Sequence, residues 1–304
     1  MATDQDHSHT DQFNTHNRSF AIAVILNVTF VVIEVVYGLL SGSLALLADA
    51  GHNLSDVMGL VMAWAASWLA SKAATYSRTY GLKKTTILAA LFNALILIAA
   101  VGGITWEGIQ RLTDPAEVSG LTVIVVAGIG VLINGATMML FFKGQQGDIN
   151  IRGAFLHMAA DTAVSVGVVI SGTIIMFTNF TWIDPIVSLI IAAVIFVGTW
   201  QLLKDSVTLA VDGVPKNIDP ASVHKRLESF PGVQTAHHLH IWALSTTENA
   251  LTVHLLKPDP VGDDQLINDI SAVLAREFNI QHTTIQWERD DSKCPSEAPC
   301  QEEN

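Results

Sequence analysis

The sequence predicts an α-helical membrane protein with six transmembrane helices and a C-terminal α+β domain. Half of the 304 residues are hydrophobic and only 14% are charged, whereas a soluble domain usually carries about a quarter charged residues. Long apolar runs recur up to about residue 205 and then stop. Beyond that point the chain holds many of its charges, and its apolar residues follow the periods of helices and strands in an ordinary soluble domain.

Each apolar run is close to or above the roughly 20 residues that a helix needs to cross a bilayer. The six predicted spans are residues 19–40, 44–71, 85–110, 120–142, 152–178 and 183–203. Basic residues are concentrated in the connections on one side: Lys72, Arg78, Lys83 and Lys84 lie between spans two and three, and Lys143 and Arg152 between spans four and five. The positive-inside rule therefore predicts that both termini are cytoplasmic.

The overall charge excludes one class of partner. The net charge of −12 and the pI near 5.2 argue against nucleic-acid binding, which favours basic surfaces. The N-terminal residues also lack a charged segment followed by an apolar one, so no cleavable signal peptide is expected.

Ionisable residues interrupt two of the predicted spans. "LLADAGHNLSD" places His52 and Asp56 four residues apart, with Asp49 on the same stripe, and "AFLHMAADTAVS" repeats the spacing with His157 and Asp161. Residues at i and i+4 share one face of a helix. Because a charge near the bilayer centre costs at least a few kcal/mol, such residues indicate a functional site.

Two such helices facing each other would offer one ion two imidazoles and two carboxylates. That set suits Zn²⁺ and is plausible for Cd²⁺, Co²⁺ or Fe²⁺, whereas Ca²⁺ and Mg²⁺ prefer oxygen ligands alone. The alternative is that each His–Asp pair is a structural hydrogen bond between helices. The repeated spacing on two different spans favours the metal site.

The C-terminal segment predicts the order α-β-β-α-β. "DPASVHKRLESF" is helical, with Asp219 as N-cap and Pro220 in the first turn. Two alternating strands flank a turn at residues 247–249, and a second helix, "DDQLINDISAVLAREF", precedes a last strand, "QHTTIQWER". This order suits a small α+β sandwich.

Histidines cluster in these strands or at their ends. They are His237, His238, His240, His254 and His282. Strict alternation would point His238 and His240 to one side of the sheet and His237 to the other, so not all of them can share one metal. The alternative is that they are solvated strand residues. Cys294 and Cys300 lie in a polar tail, and their spacing is looser than that of a Cys-x-x-Cys zinc site.

Taken together, six spans, "SLALLADAGHNLSD", "RTYG" and "HHLHIWAL" resemble the cation diffusion facilitator family, in particular its zinc-transporter branch. The resemblance covers roughly residues 15 to 290. It implies that His52, Asp56, His157 and Asp161 form the transport site, with Asp49 as a further candidate. It also suggests a bacterial inner membrane. One departure is "GLKKTTILAAL", which lacks the His-Arg-Ala-Glu run of many relatives, so a metal site in that connection is not expected.

For the C-terminal segment, the resemblance implies a ferredoxin-like domain that dimerises in the cytoplasm. It implies His237, His254, His282 and Glu288 as ligands of a regulatory metal, with His240 as a second choice. Cys294 and Cys300 are candidates to cap that metal site. The predicted organisation is a His-containing tail (1–18), a six-helix membrane domain (19–205), a ferredoxin-like domain (206–290) and an acidic tail (291–304).

The predicted function is metal/proton antiport by a homodimer in the lipid bilayer, with Zn²⁺ as both transported and regulatory ion. Metal binding needs deprotonated ligands, so protons from outside would displace the ion. Two alternatives are a membrane metal sensor and an intramembrane metallohydrolase. The hydrolase needs an open coordination position and a motif such as His-Glu-x-x-His, which does not occur in the sequence.

Overall fold

The computed structural model describes residues 27–114, 116–142 and 149–290, apart from the side chains of some helical residues, among them that of His157. The chain divides into two compact units. One runs to Val61 and resumes over Asn93–Gln201, and the other comprises Met62–Phe92 and the chain from Leu202 onward.

In the part of the chain that the structure describes, one shorter helix and five long ones come before the C-terminal elements. They are α1 (Asn27–Ser41), α2 (Leu44–Ala70), α3 (Thr85–Thr113), α4 (Gly120–Phe142), α5 (Ile149–Thr178) and α6 (Ile183–Ala210). Among the described residues, four segments are long and apolar enough to cross a membrane: Thr85–Thr113, Gly120–Met139, Met158–Thr178 and Ile183–Ala210. The predicted spans three to six are therefore present as apolar helices.

The first two predicted spans differ from these four. α1 is described only from Asn27, and the start of the predicted span at residue 19 lies outside the described residues. α2 has 27 residues, enough to cross a bilayer, but it is not among the four segments found long and apolar enough within the described residues. Its polar stripe, which includes Asp49, His52 and Asp56, lowers its mean hydropathy.

The helices expose large apolar side chains on their outer surfaces. Leu132, Phe177 and Val197 are 72%, 76% and 71% exposed. An apolar surface of this kind is unfavourable in water but stable against lipid. A separate set of residues from five helices, including Leu46, Val123, Val168 and Ile191, forms the buried core of this unit.

Glycine allows the backbones of α4 and α5 to approach closely. A Cβ atom on Gly120 would lie 2.7 Å from the carbonyl oxygen of Gly172, which is too close for any side chain. Small residues at such contacts are typical of helices that pack in a membrane, where van der Waals contact stabilises the pair. Gly120 thereby fixes the start of α4 against α5, the helix that carries Asp161.

Beyond α6, the second unit, here called the C-terminal unit, contains two helices and a three-stranded sheet. Its elements are α7 (Pro220–Glu228), β1 (Thr235–Ala243), β2 (Asn249–Leu256), α8 (Asp263–Phe278) and β3 (Ile280–Glu288). The strand order is β1-β2-β3, with β1 and β2 antiparallel and β2 and β3 parallel. The predicted order α-β-β-α-β is confirmed.

Local signals determine the helices of this unit. The Asp219 carboxylate accepts hydrogen bonds from the backbone N–H groups of Ala221 and Ser222, at 3.2 and 3.1 Å, so it is the predicted N-cap of α7. The buried faces of α7 and α8 present Leu227 and Leu274 to the sheet, where they join Leu251 in one apolar core. That core holds the sheet rigid and so positions the strand histidines.

Candidate metal centres

Three ionisable side chains meet between α2 and α5. Nε2 of His52 lies 2.9 Å from Oδ1 of Asp161 and 4.0 Å from Oδ2 of Asp56. One ligand atom from each of these residues lies within 4.8 Å of the others. Two residues of this set come from one face of α2 and the third from α5, as the repeated His-x-x-x-Asp spacing predicts.

The burial of these three groups is uneven. The side chain of Asp161 is 1% exposed, whereas those of His52 and Asp56 are 22% and 33% exposed. A buried carboxylate is stable only with a cation or with hydrogen-bond donors beside it. The cluster therefore has a closed side at α5 and an accessible side at α2, which suits an ion that must enter and leave.

His157, the fourth predicted ligand, has its backbone in α5 one turn before Asp161. Its side chain lies outside the part that the structure describes. Its role as a ligand therefore stays a prediction.

Asp49 lies next to the cluster but is not one of the three grouped residues. It is fully buried, and one of its carboxylate oxygens accepts a hydrogen bond of 3.0 Å from Ser165 of α5. A parallel contact joins Asn53 to the buried Glu34 of α1, at 3.0 Å. These bonds connect α2 to two neighbouring helices and hold the stripe that carries His52 in place.

The start of α2 is capped by a residue that the sequence did not single out as a cap. The Asp184 carboxylate of α6 accepts hydrogen bonds from Ser43 Oγ at 2.5 Å and from the backbone N–H of Leu44 at 2.7 Å. A carboxylate at this position satisfies N–H groups that have no partner within the helix. Because Asp184 is itself fully buried, the contact fixes the first turn of α2.

A second cluster lies on the C-terminal sheet. The Glu288 carboxylate contacts Nε2 of His237 at 3.0 Å and Nδ1 of His254 at 2.9 Å. His237 and His254 are direct cross-strand partners of β1 and β2, and Glu288 ends the neighbouring strand opposite Leu256. Two imidazoles and one carboxylate that converge in this way form a partial ligand set for a transition metal such as zinc.

His282 is placed away from this second cluster. It pairs with Ala250 at the other end of the sheet and lies six positions from Glu288 along β3, roughly 20 Å. Its Nε2 instead lies 3.3 Å from Oε2 of Glu248 and 3.3 Å from Nζ of Lys83. The structure therefore brings together three of the four residues that the resemblance implies for this site.

Lys83 and Glu248 form an ion pair at this other end of the sheet. The hydrogen bond from Lys83 lowers the pKa of the Glu248 carboxyl from its ordinary value, and the neighbouring His282 adds to the effect. The Lys83 ammonium, the Glu248 carboxylate and the His282 imidazole therefore contact one another pairwise. These contacts join the connection between α2 and α3 to the sheet.

The remaining predicted ligands are more peripheral. His240 is exposed, and its ring centroid lies 5.0 Å from that of His238. Cys294 and Cys300 lie outside the described residues. Their proposed part in metal binding stays a prediction.

Two family models match the chain. The model of the cation efflux transmembrane domain matches residues 20–209, and the model of the cytoplasmic domain of cation efflux proteins matches residues 215–290. The matched regions contain both clusters described above.

Several curated proteins are similar over nearly their whole length. The metal cation efflux system protein CzcD of Cupriavidus metallidurans is 38% identical, over 97% of this chain and 91% of that protein. The zinc transporter ZitB of Pectobacterium atrosepticum is 38% identical, over 95% and 91%. The cadmium, cobalt and zinc/H(+)-K(+) antiporter of Bacillus subtilis is 34% identical, over 93% and 92%.

Proposed function

Because the chain belongs to the cation efflux family, whose members transport metal ions, we propose that it exports Zn²⁺ from the cytoplasm in exchange for protons. Cd²⁺, Co²⁺ and Fe²⁺ are proposed as further substrates, since mixed imidazole and carboxylate ligands accept all of them. The names of the relatives include zinc, cadmium and cobalt, and one of these relatives is an antiporter by name.

The observation that carries this proposal is the cluster of His52, Asp56 and Asp161 within two apolar helices. Ionisable groups in such helices indicate a transport pathway or a proton relay, because placing them in the bilayer costs free energy. In the proposed site His157 supplies the fourth ligand from α5. A complete set of four protein ligands leaves no position for a catalytic water, which favours transport over hydrolysis.

Proton exchange follows from the chemistry of the ligands. An imidazole binds metal only when neutral, and a carboxylate only when ionised, so protons and metal compete for the same atoms. In the proposed cycle the ion binds from the cytoplasm, the site turns outward, and external protons release the ion. The change of access is a movement of the helices that carry the site against the remaining helices, as in other secondary transporters.

The proposed topology has six spans with both termini in the cytoplasm. Together with the four helices that are long and apolar enough to cross a membrane, α1 and α2 give six spans. The lysines and arginines of the connections determine the orientation by the positive-inside rule. The proposed domains are a tail (1–18), a membrane domain (19–205), a cytoplasmic ferredoxin-like domain (206–290) and an acidic tail (291–304). A bacterial inner membrane is the proposed location.

The C-terminal domain is proposed to bind regulatory metal and to hold a homodimer together. His237, His254 and Glu288 are the proposed ligands, supported by their mutual contacts on one sheet. His282, His240, Cys294 and Cys300 are retained as further candidates on the resemblance alone. Metal binding there would join the strands more tightly when the cytosolic metal concentration rises.

The test is transport by the purified full-length protein in sealed proteoliposomes under an imposed pH gradient. Uptake of Zn²⁺ is compared with that of Cd²⁺, Co²⁺, Fe²⁺ and Mn²⁺, for the wild type and for Asp56→Ala and Asp161→Ala. The expected result is uptake that depends on the gradient and is lost in both variants. The matched control is Asp264→Ala, since Asp264 is an exposed aspartate of α8 and should leave uptake unchanged.

Two results would contradict the proposal. If both variants carry Zn²⁺ as fast as the wild type, then the cluster between α2 and α5 is not the transport site. If the wild type binds Zn²⁺ but shows no flux under any gradient, then the membrane sensor becomes the better hypothesis.

A further inference from the structure

Two buried acids of the membrane helices have no part in the metal cluster. Glu34 of α1 and Asp49 of α2 are both 0% exposed, and neither belongs to the group formed by His52, Asp56 and Asp161. An ionised carboxylate that is cut off from water is stable only with hydrogen-bond donors or a positive charge beside it. Both acids should therefore be surrounded by donors, and only half of that requirement is met.

Each carboxylate accepts one hydrogen bond and keeps a second oxygen without a donor. One oxygen of Glu34, Oε2, accepts from Asn53 at 3.0 Å, and one oxygen of Asp49, Oδ2, accepts from Ser165 at 3.0 Å. The other two oxygens, Oε1 of Glu34 and Oδ1 of Asp49, are buried and have no donor among the described residues while both acids are ionised. An ionised carboxylate can only accept, so the two acids cannot supply the missing donor to each other.

The two carboxyl groups lie against each other. Asp49 and Asn53 are one turn apart on the same face of α2, so Glu34, which binds Asn53, lies beside Asp49. The carboxyl groups of Glu34 and Asp49 are within hydrogen-bond reach of one another. Two ionised carboxylates at that separation, away from water, repel each other strongly. A single proton between them removes the repulsion and supplies the missing donor, as in enzymes whose paired acids share one proton.

We propose that Glu34 and Asp49 form a proton-binding site separate from the metal ligands, and that its proton is one of those exchanged for the transported ion. The proposal rests on the proposed antiport function and names residues that carry a proton in it. When Zn²⁺ binds at the cluster, its positive charge favours the ionised form of both acids, and the pair releases its proton. When the ion leaves, the pair takes up one proton again, so only an O–H bond breaks and re-forms.

The pair lies on the outer side of the cluster in the proposed topology. α2 begins at Leu44 on the outer side, so Asp49 precedes His52 on the way to the cytoplasm. On α5, Ser165 follows Asp161 by four residues, so the bond between Asp49 and Ser165 lies one turn from the contact between His52 and Asp161. A proton that enters from outside therefore meets the pair before it meets the metal ligands.

Apart from the cluster, few charges face the pair. The charges of His52 and Asp161 act on the Asp49 carboxyl. The described part of α1 has no charged residue besides Glu34, and α4, which packs against Ser165, has none. A Zn²⁺ ion at the cluster is therefore the largest change of charge near the pair. The other ionisable residues of these helices are Asp56 of α2, Glu107 and Arg111 of α3, Arg152 and His157 of α5, and Asp184, Lys204 and Asp205 of α6.

The experiment counts the protons released when Zn²⁺ binds to the full-length protein in detergent, with a pH-indicator dye in weak buffer near pH 7. Glu34→Gln and Asp49→Asn each keep one acceptor oxygen and replace the shared proton by a permanent N–H donor. The C-terminal metal site is unchanged in these variants, so its protons cancel in the comparison with the wild type. Glu107→Gln is the matched control, because Glu107 pairs with Arg111 and is 45% exposed.

We expect Glu34→Gln and Asp49→Asn each to bind Zn²⁺ and to release about one proton per chain fewer than the wild type. The double variant should lose no more than either single variant, because the two residues share the proton. Glu107→Gln should match the wild type. The proposal is overturned if a single variant that binds Zn²⁺ releases as many protons as the wild type, if the two losses add, or if both single variants lose Zn²⁺ binding, which would make the pair part of the metal site.

Transport separates this inference from the proposed function. Exchange of Zn²⁺ for Zn²⁺ across proteoliposomes needs no net movement of protons, whereas uptake driven by a pH gradient does. We expect Glu34→Gln to retain the exchange and to show a weaker dependence of uptake on the gradient. If Glu34→Gln matches the wild type in both assays, then the proton site fails while the proposed antiport stands. If the wild type itself shows no flux, then the proposed function fails.

Discussion

Nε2 of His52 lies 2.9 Å from Oδ1 of Asp161, although the two residues are 109 positions apart in the sequence. The same nitrogen lies 4.0 Å from a carboxylate oxygen of Asp56. One imidazole nitrogen thus faces carboxylates from two helices. A proton on this nitrogen can be donated to Asp161, and in the proposed site a divalent ion would take its place. In the proposed antiport, metal and protons would compete at this contact.

We expect Asp161→Asn to weaken Zn²⁺ binding at the membrane site by at least about 100-fold, because even residues that merely support a metal ligand typically contribute 10- to 100-fold. Asparagine keeps the size and one oxygen of the side chain but removes its charge. The measurement is competition with a chromophoric chelator on full-length protein in a Glu288→Gln background. Asp264→Asn, on the exposed face of α8, serves as control. An affinity within twofold of the background would exclude Asp161 as a ligand.

A second prediction concerns the ion pair between Lys83 and Glu248. We expect Glu248→Gln to lower the free energy of unfolding by less than about 1 kcal/mol, since both side chains are partly exposed and such pairs are weak. Because the pKa of Glu248 is lowered in the folded protein, its contribution is present above its ordinary value, 4.5, and is lost as the pH falls through the lowered value.

The measurement for this pair is denaturant unfolding of Glu248→Gln and wild type at pH 7 and near pH 3. The difference between the two proteins should be larger at pH 7. The reversed pair, Lys83→Glu with Glu248→Lys, should recover part of the stability that either single change removes. An equal difference at both pH values would show that the pair does not stabilise the fold electrostatically.

The helices of the C-terminal unit could be predicted because their signals are local. Asp219 as N-cap and Pro220 in the first turn correctly predict the start of α7. The predicted second helix coincides with α8, Asp263–Phe278. The apolar helices α3 to α6 could also be predicted from the sequence, since a membrane span depends on the composition of a single segment. In these elements, residues within a few helical turns of one another are enough to predict the structure.

The arrangement of the strand histidines could not be predicted in this way. A bulge of one residue lets His238 as well as His237 reach His254, and nothing in the sequence "HHLHIWAL" marks its position. The resemblance groups His282 with Glu288, but both lie on one strand and six residues apart, so the pleated geometry separates them. Long-range pairing of this kind depends on the whole sheet.

A third prediction concerns the cap on α2. Replacing Asp184 by alanine leaves the backbone N–H of Leu44 and the hydroxyl of Ser43 without their buried acceptor. We expect a loss of about 1–3 kcal/mol of stability, seen as a lower thermal midpoint in detergent, together with slower Zn²⁺ uptake because the first turn of α2 loosens. Asp184→Asn, which keeps one acceptor oxygen, should lie between alanine and wild type. An unchanged midpoint for Asp184→Ala would show that the cap contributes nothing to stability.

The last prediction tests the Glu288 cluster through its effect on stability. A ligand that binds only the folded state stabilises it by about 2.7 kcal/mol at 100 times its dissociation constant. Because Glu288 contacts both His237 and His254, we expect Glu288→Gln to weaken Zn²⁺ binding there at least tenfold. At a fixed Zn²⁺ concentration, that removes about 1.4 kcal/mol of the stabilisation.

The measurement is denaturant unfolding of the C-terminal domain within the full-length protein, with and without Zn²⁺, in the Asp56→Ala/Asp161→Ala background. Glu277→Gln is the matched control, because Glu277 pairs with Arg226 on the surface of the same domain. It should lower stability slightly in both conditions but leave the Zn²⁺-dependent increment unchanged. If Glu288→Gln keeps the full increment, then the carboxylate orients the two histidines without binding the ion, and the ligand set of this centre must be sought among the imidazoles alone.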